Sequence, residues 1–456
     1  MTGSELNRRL VSAALSGDAD AVRDLLHEGA DPNTSDPEGG LPILCAAVAA
    51  YDASVTEALM DGGADPDREL PDGGTPLWRA LDSGSPAVFE SALGKEPRLR
   101  LPEQERERLL ARARSWYETG PVEGLRRRTG ARGSAVSVRV TDGDYDWVDQ
   151  YALDGLVVRA GHGAILTSLE WSFRIPTPVG ELIDRAVRIP DEEHVDWSAV
   201  WLTLTRRHCE EVLSATLAQR DHPDPRHRRF VADYLRARGI IACDSPSAER
   251  ESGILAAWAT REPDGAVLAK VLEAFAEYEH PDMEATGLRH AAHPDPRVRL
   301  RAATVLDASE ARSPETRTAL LALLGDPDAR VRLEACRVGL QDDALLAPAA
   351  EELVRLAEGP YEQLRGGVAE ALASSRARMP AVADALAALL ADGNQLVRLE
   401  AAYGLALRDD PRTGEAIERV GPLGVGFEHD HRVDALWDWN RDNNRPWRLS
   451  VGAGDA

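Results

Sequence analysis

Apolar residues in the C-terminal half of the chain follow a helical pattern that recurs at a constant interval. Val298, Val331, Leu364 and Val397 mark this period, and each is followed by an arginine. Small or apolar residues continue four and eight positions later, which is the spacing of one helix face. A second series, Leu320, Leu353 and Leu386, recurs at the same interval ahead of them. Each unit is therefore predicted to be a helical hairpin whose apolar stripes are buried when neighbouring units stack.

The second helix of each unit has a recognisable start. Asp295 and Asp328 occupy N-cap positions, where a short side chain accepts a hydrogen bond from a free backbone N–H. Asn394 repeats this cap, whereas Tyr361 departs from it. The stretch "HPDPRVRLRAATVL" is therefore predicted to be mainly a helix start, because no set of metal ligands recurs at the positions that match His293.

These hairpins resemble short bacterial HEAT repeats, on the D-P-D turn and the V-R-x-x-A-A-x-x-L second helix. We predict regular repeats over residues 282–407, looser copies over 196–281, and a C-terminal cap and tail over 408–456. In HEAT relatives an arginine ladder pairs with acidic groups of neighbouring repeats. The resemblance implies this structural role for four arginines: Arg299, Arg332, Arg365 and Arg398. The alternative is that these arginines form an anion-binding or partner-binding stripe.

A different repeat occupies the N-terminal segment. "EGADPN" at Glu28 returns as "GGADPD" at Gly62, and "GGLPIL" at Gly39 returns at the same interval as "GGTPLW" at Gly73. These motifs resemble ankyrin repeats, about three of them within residues 1–97, although Trp78 and Leu44 stand where the family has a histidine. Ankyrin relatives bind partner proteins through their turn tips and inner helices. The resemblance therefore implies contact candidates on the tips: Asp36, Glu38, Arg68, Glu69 and Asp72.

The segment between the arrays is less regular. Residues 98–133 carry 10 Arg against 5 Glu and are predicted to form a basic helical linker or cap, with a helix over Leu101–Tyr117. Residues 134–195 are predicted to be irregular with a small β insertion, whose strand-like stretches are Ser134–Val140, Leu156–Val158 and Ile165–Trp171. "GHGAIL" at Gly161 is predicted to be a turn, and "DGDYDWVD" lacks the glycine and the terminal glutamate of a calcium loop.

Composition and motifs narrow the function classes. A formal net charge of -24 makes nucleic acid an unlikely partner. The four cysteines form no C-x-x-C pair, and "EHDH" at Glu428 has the wrong spacing for a metal site. His290 is expected to be a buried core histidine. We therefore expect no metal and no cofactor. The first residues lack a signal-peptide core, and the longest apolar run, Leu41–Ala50, is about half a membrane span. We expect a cytoplasmic protein, and the near absence of lysine is typical of a GC-rich bacterial genome.

The fold class expected from these patterns is mainly all-α: an ankyrin stack plus a HEAT-like α/α superhelix, with a small β insertion between them. The expected function is a non-catalytic adaptor or scaffold that binds a protein or peptide through its solenoid surfaces. The alternatives are a lyase-type HEAT-like enzyme and a nucleic-acid-binding HEAT-like protein. Aromatic residues dominate the energetics of many protein interfaces. Four tryptophans are therefore candidate partner-binding residues, with core packing as their alternative role: Trp78, Trp437, Trp439 and Trp447.

Overall fold

A computed structural model describes residues 3–36, 40–144, 146–207, 209–242, 247–308, 313–424, 426–427, 429–443, 447 and 449. These residues form 26 α-helices and one three-stranded sheet, so the expected fold class is confirmed. The chain divides into two compact units, Met1–Tyr234 and Leu235–Ala456. No helix within the described ranges is both long and apolar enough to cross a bilayer.

The first unit begins with three helical hairpins. Helices α1, α3 and α5 pack in one row, and α2, α4 and α6 pack in a second row. Side-chain caps start four of these helices: Asp18, Asp52, Thr75 and Ser85 each accept a backbone N–H. The helices span Gly3–Ser16 (α1), Ala19–His27 (α2), Ile43–Ala49 (α3), Ala53–Asp61 (α4), Pro76–Ser83 (α5) and Pro86–Leu93 (α6).

Two further helices extend these rows. Helix α8 packs on α5, and α10 packs on both α6 and α8, so both rows gain a fourth member. The segment predicted to be a basic linker thus contains a helix that continues the repeat stack. The helices span Pro97–Arg100 (α7), Glu103–Thr119 (α8), Pro121–Thr129 (α9) and His162–Ser172 (α10).

A small antiparallel sheet lies in the chain between α9 and α10, in the order β1-β2-β3. Its strands span Val136–Asp142 (β1), Asp146–Leu153 (β2) and Leu156–Arg159 (β3). Val138 is paired with Gln150, and Tyr151 with Val158. Helix α9 packs on β2 and β3, and α5 packs on β3. The β insertion therefore contacts the last ankyrin hairpin directly.

Two sequence interpretations of this region were wrong. Ile165–Trp171 is helical, since it lies within α10, and the turn predicted at "GHGAIL" is the start of that helix. Helix α10 is buried on nearly every side, so its apolar residues do not form the one-sided stripe by which a surface helix is recognised. The acidic stretch after Asp142 forms the β1–β2 connection and the first half of β2, a strand that the sequence did not indicate.

The rest of the first unit consists of helices that continue from α10. Helix α12 packs on α10 and α11, and α13 packs on α11. A buried ion pair joins α11 to α10, with Arg185 Nη1 3.0 Å from Glu170 Oε2. The helices span Val179–Ala186 (α11), Val195–Arg206 (α12), Glu210–Leu217 (α13) and Pro225–Ala242 (α14), with a 3-10 turn at Ala218–Asp221; the boundary between the units falls within α14.

The second unit is a stack of five helical hairpins followed by α25 and α26, which both pack on α24. Helices α16, α18, α20, α22, α24 and α26 each pack on the next member of their row, and α15, α17, α19, α21 and α23 form the other row. The helices span Ala248–Ala259 (α15), Gly265–Phe275 (α16), Met283–His290 (α17), Pro296–Ala308 (α18), Pro314–Leu324 (α19), Ala329–Gly339 (α20), Leu346–Glu358 (α21), Arg365–Ser374 (α22), Pro380–Leu389 (α23), Gln395–Ala406 (α24), Thr413–Val420 (α25) and His431–Asp442 (α26).

The repeated apolar positions form the core of this stack. Val298, Val331, Leu364 and Val397 all lie in or against it, and the leucines at Leu320, Leu353 and Leu386 are fully buried. Asp328 and Asn394 cap α20 and α24 as the sequence predicts. At the third unit, where Tyr361 replaces the cap, a 3-10 turn at Glu362–Leu364 precedes α22.

Candidate functional site

In three of the four regular repeats, the turn before the second helix is closed by the side chain at the position of His293. His293 Nδ1 accepts the backbone N–H of the residue two positions on, at 3.1 Å. Asp326 and Asp392 do the same with Oδ1 at 2.9 and 2.8 Å. His222 and His280 repeat this geometry at 3.1 Å. Histidine and aspartate therefore have the same local function here, which explains why the sequence position alternates between them.

The first two arginines of the ladder join one repeat to the next. Arg299 Nε lies 2.6 Å from Asp326 Oδ2, and its Nη1 donates to the carbonyl of His293 at 2.8 Å. Arg332 Nε donates to Glu352 Oε1 at 2.7 Å, and its Nη1 donates to the carbonyl of Asp326 at 2.8 Å. Each guanidinium therefore closes its own turn and also contacts an acid of the following repeat.

The last two arginines depart from this arrangement. Arg365 Nη1 lies 2.9 Å from Asp392 Oδ2, but the residue begins α22 and has no capped turn to close. Arg398 Nη1 closes its turn on the carbonyl of Asp392 at 2.8 Å, while its Nε donates to the carbonyl of Arg419 at 2.9 Å. The donors of both side chains are thus directed towards groups of the array itself.

Sequence reasoning missed an earlier member of this series. Arg228 Nη1 donates to the carbonyls of His222 and Pro223, at 2.8 and 3.2 Å, as Arg299 does to those of His293 and Pro294. The signal was present in the shared "HPDPR" motif. Arg228 was overlooked because its distance along the chain from Arg299 is not a multiple of the interval that separates the other ladder arginines.

The ankyrin tip candidates lie at the turns between hairpins. Arg68, Glu69 and Asp72 are exposed, and Asp36 is half-buried; Glu38 lies outside the described residues. Arg68 Nη1 donates to the carbonyl of Asn33 at 3.0 Å, and Asp72 Oδ2 lies 2.8 Å from Arg79 Nη2.

An asparagine ladder connects the successive turns of the ankyrin stack. Asn7 Oδ1 accepts the backbone N–H of Asp31 at 2.9 Å. Asn33 Oδ1 accepts the backbone N–H of Asp65 at 2.8 Å. The turns are therefore tied to one another by side-chain to backbone hydrogen bonds.

The four tryptophan candidates differ in exposure. Trp437 is 46% exposed, with the Arg441 guanidinium 4.8 Å from its ring centroid. Trp439 is only 8% exposed, and its Nε1 donates to Asp409 at 2.8 Å, so its position in the structure is that of the core-packing alternative. Trp78 is half-buried and donates to Glu105 of α8 at 2.6 Å, and Trp447 packs against the core of the second unit.

Several arginines of the basic segment after the ankyrin repeats form ion pairs with nearby carboxylates. Asp82 accepts hydrogen bonds from Arg112 Nε at 2.6 Å and from Trp116 Nε1 at 2.8 Å, and Arg128 Nη2 lies 2.7 Å away. Burial raises the pKa of the Asp82 carboxyl, but the hydrogen bonds from the two arginines outweigh it and lower that pKa below its ordinary value. Arg126 and Arg127 lie 4.0 and 3.4 Å from Glu123.

The part of the chain that the structure describes contains no group of three or more metal-ligating side chains. Within the "EHDH" stretch, Glu428 lies outside the described residues, and His431 packs edge-on against Tyr403. His290 is buried, and burial lowers the pKa of its imidazole; one ring nitrogen is hydrogen-bonded to the Ala259 carbonyl, whereas Nε2 has no partner among the described residues.

Both units are thus solenoids of stacked helical hairpins, and this architecture defines a repeat protein. Comparison with protein families agrees: residues 10–99 match ankyrin repeats (3 copies), and residues 253–340 match HEAT repeats. The chain therefore combines N-terminal ankyrin repeats with C-terminal HEAT-like repeats, as the sequence predicts. The HEAT match includes part of 196–281, where the sequence indicated only looser copies.

Similar solved structures include the Escherichia coli protein YibA, at 15% identity and a TM-score of 0.40, covering 59% of this chain and 96% of YibA. Another is a triple mutant of Kap121p, at 13% identity and a TM-score of 0.33, covering 91% of this chain and 47% of Kap121p. This chain thus spans about half the length of Kap121p. A search of curated proteins found no match.

Proposed function

We propose that this protein is a non-catalytic adaptor that binds a protein or peptide partner through the surfaces of its two solenoids. Stacked hairpins present long rows of side chains, and such extended faces suit macromolecular partners better than small molecules. The proposal rests on the repeat architecture and on one exposed apolar surface in the second unit. We further propose that the chain works in the cytoplasm.

This surface, which we call the α24 stripe, consists of Leu396, Tyr403 and Leu407. The three residues are seven and four positions apart, so they lie along one face of a helix. Leu396 and Leu407 are 47% and 45% exposed, and Tyr403 is half-buried. Aligned apolar side chains that stay exposed on a helix are typical of surfaces that bind another polypeptide. The observation that carries the proposal is this alignment.

One charged residue lies along the α24 stripe, between Leu396 and Tyr403. Glu400 lies on the same face of α24 and pairs with Arg432 of α26 at 2.6 Å. Trp437, also on α26, adds an exposed aromatic ring to the neighbouring helix of the same row. A partner segment with an apolar face and polar flanks is the chemistry that fits this surface.

The ladder arginines have a structural role in this proposal. Their donors are engaged by Asp326, Glu352, Asp392 and backbone carbonyls, so they stiffen the array that carries the stripe. The nucleic-acid alternative would require these guanidinium groups to face phosphates instead. A binding assay with duplex DNA across salt concentrations distinguishes the two, because phosphate binding weakens steeply as salt rises.

Affinity purification of the full chain from its native cell, with cross-linking, tests the adaptor proposal. The double variant Leu396→Glu with Leu407→Glu places two charges on the α24 stripe. The matched control is Leu321→Glu with Ala322→Glu, which places the same two charges on exposed positions of α19 in the other row. We expect a stoichiometric partner that cross-links to α24, is captured by the wild-type and control proteins, and is lost with the double variant.

Two outcomes would count against the adaptor. If the double variant captures every partner as well as the wild-type protein does, the α24 stripe is not the binding surface. Turnover of a substrate by the purified chain, with no stoichiometric protein partner, would favour the lyase-type alternative. Circular dichroism and the thermal midpoint of each variant establish that loss of capture does not reflect unfolding.

A further inference from the structure

A cavity of about 320 Å³ lies in the first unit, where four separate segments of the chain meet. We propose that this cavity, which we call the Tyr151 cavity, binds a small organic cation: a guanidinium or a primary ammonium group. Its volume is at the lower end of the range for ligand pockets, which suits a side-chain-sized group. The proposal rests on the carboxylates and aromatic rings that line the cavity.

The floor of the cavity is formed by Trp116, His162 and Asp196. Trp116 stacks on the imidazole of His162, with centroids 4.7 Å apart and planes 12° apart. A ring nitrogen of His162 is hydrogen-bonded to the Leu81 carbonyl, and because Nε2 has no partner, that nitrogen is Nδ1. The Leu81 carbonyl therefore favours the tautomer with the proton on Nδ1, in which Nε2 is a buried hydrogen-bond acceptor.

The orientation of His162 follows from its neighbours. Cε1 approaches Gly84 so closely that an added Cβ there would lie 2.6 Å away, and Nδ1 faces Leu81. This edge of the ring thus packs on the C-terminal end of α5. Nε2, which is bonded to Cε1, is buried without a hydrogen-bond partner among the described residues, and His162 is one of the residues that line the cavity. A buried acceptor without a donor is costly, and a donor group on a ligand would relieve that cost.

Asp196 supplies a second acceptor at the floor. Its Oδ1 accepts the backbone N–H of Ala164 at 2.6 Å, at the start of α10. Gly163 allows this approach, since a Cβ there would lie 2.4 Å from Oδ2. Burial raises the pKa of the Asp196 carboxyl, and His194, the Ala164 amide and the charges of Arg185 and Arg188 oppose that effect. A cation beside it would favour the ionised carboxylate.

The wall of the cavity comes from β2. Asp149 and Tyr151 are two positions apart on the strand, so both side chains lie on the same face of the sheet. The Asp149 carboxylate makes no hydrogen bond or ion pair with any residue in the described ranges. Tyr117 provides a further ring at the cavity. An unpaired carboxylate beside aromatic rings is the arrangement that favours an organic cation over a neutral ligand.

One cation of the protein lines the cavity, at its exposed edge. The Arg188 guanidinium is 4.4 Å from the Tyr117 ring centroid, and its Nη1 donates to the Tyr117 carbonyl at 2.7 Å. Arg188 is exposed, whereas Asp196 and His162 are buried. Its charge is held on Tyr117 at the edge of the cavity, and from there it helps to oppose the rise in the pKa of Asp196. An anionic ligand would meet Asp149 and Asp196.

Isothermal titration of the full chain tests this inference with four probes: N-acetylarginine amide, N-acetyllysine amide, the neutral isostere N-acetylcitrulline amide, and N-acetylglutamate amide. We expect saturable binding of the arginine or lysine probe and at least about tenfold weaker binding of the citrulline probe. Asp149→Asn should weaken the cationic probe about tenfold. The matched control Asp154→Asn, in the exposed β2–β3 turn, should leave binding unchanged.

Two sources can supply such a cation, and further probes separate them. Tighter binding of a Gly-Arg-Gly peptide than of agmatine indicates the side chain of a partner protein, and the reverse indicates a free amine. The inference is overturned if no cationic probe binds at millimolar concentration, if citrulline binds as well as arginine, if Asp149→Asn has no effect, or if only the anionic probe binds. Because the Tyr151 cavity and the α24 stripe lie in different units, failure here leaves the adaptor experiment informative.

Discussion

Arg299 and Asp326 form the closest ladder contact between consecutive HEAT-like repeats, with Nε to Oδ2 at 2.6 Å and Nη2 to Oδ1 at 2.8 Å. Both side chains are largely buried: Arg299 is 13% exposed. Asp326 also accepts the backbone N–H of Asp328 and so closes its own turn. One carboxylate therefore fixes the local backbone and the stacking of two repeats together.

Arg299→Ala should destabilise the second unit by about 3 kcal/mol, because it leaves the buried Asp326 without its cation. Arg297→Ala is the matched control: Arg297 pairs with Asp295 at 2.7 Å but is 57% exposed, and exposed pairs contribute about 0–1 kcal/mol. Urea unfolding gives the free energies, and hydrogen exchange of α18 and α20 localises the change. Equal losses in both variants would contradict a special contribution from the buried pair.

Two helical glycines should respond oppositely to alanine. A Cβ at Gly404 would lie 2.8 Å from Ala373 Cα, so this glycine permits the close packing of α24 against α22. At Gly366, on α22, an added Cβ meets nothing within 4 Å. We expect Gly404→Ala to destabilise by about 1–3 kcal/mol, through overpacking.

Gly366→Ala should instead stabilise by up to about 1 kcal/mol, since alanine is the better helix former. Urea unfolding of the two variants, compared with the wild type, measures both effects. A stabilised Gly404→Ala protein would mean that α22 and α24 can separate at no cost.

The repeated hairpins were predictable from the sequence, whereas the Tyr151 cavity in the segment without repeats was not. Val298, Val331 and Val397 are in the core because a constant repeat interval fixes which face each helix buries. The Tyr151 cavity has no such signal: Trp116, Tyr151 and Asp196 come from α8, β2 and α12, and only the tertiary fold brings them together. A lone acid or aromatic residue in an irregular segment does not reveal its neighbours.

The paired tryptophans illustrate a signal that was present but unused. Trp437 and Trp439 are two positions apart on α26, so they lie on nearly opposite faces of one helix. Both cannot be exposed anchors on the same surface. Trp437 follows the buried Val433 by four positions and Trp439 follows the buried Leu436 by three, so helical phase alone does not decide which tryptophan is exposed; the tertiary fold buries Trp439.

The described cysteines should differ strongly in reactivity. Burial raises the pKa of the Cys45 thiol to about 11 and also raises that of Cys336, whereas Cys209 is exposed. Because the thiolate is the reactive form, iodoacetamide at pH 8 should label Cys209 first in the native protein. Peptide mass spectrometry after timed labelling measures this. Early labelling of Cys336 in the folded chain would contradict the packing of α20.

His162 should make the first unit less stable in acid. Burial lowers the pKa of its imidazole to about 3, whereas an unfolded histidine titrates near 6.5. Below pH 6.5 the unfolded chain binds a proton that the folded chain excludes, so stability is complete above that pH and declines as pH falls towards 3. The slope from this residue approaches about 1.4 kcal/mol per pH unit. His162→Asn keeps a donor for the Leu81 carbonyl but cannot titrate. Between pH 7.5 and pH 5.0, the free energy of unfolding of this variant should fall less than that of the wild type. Identical pH dependence of the two proteins would contradict a neutral buried imidazole.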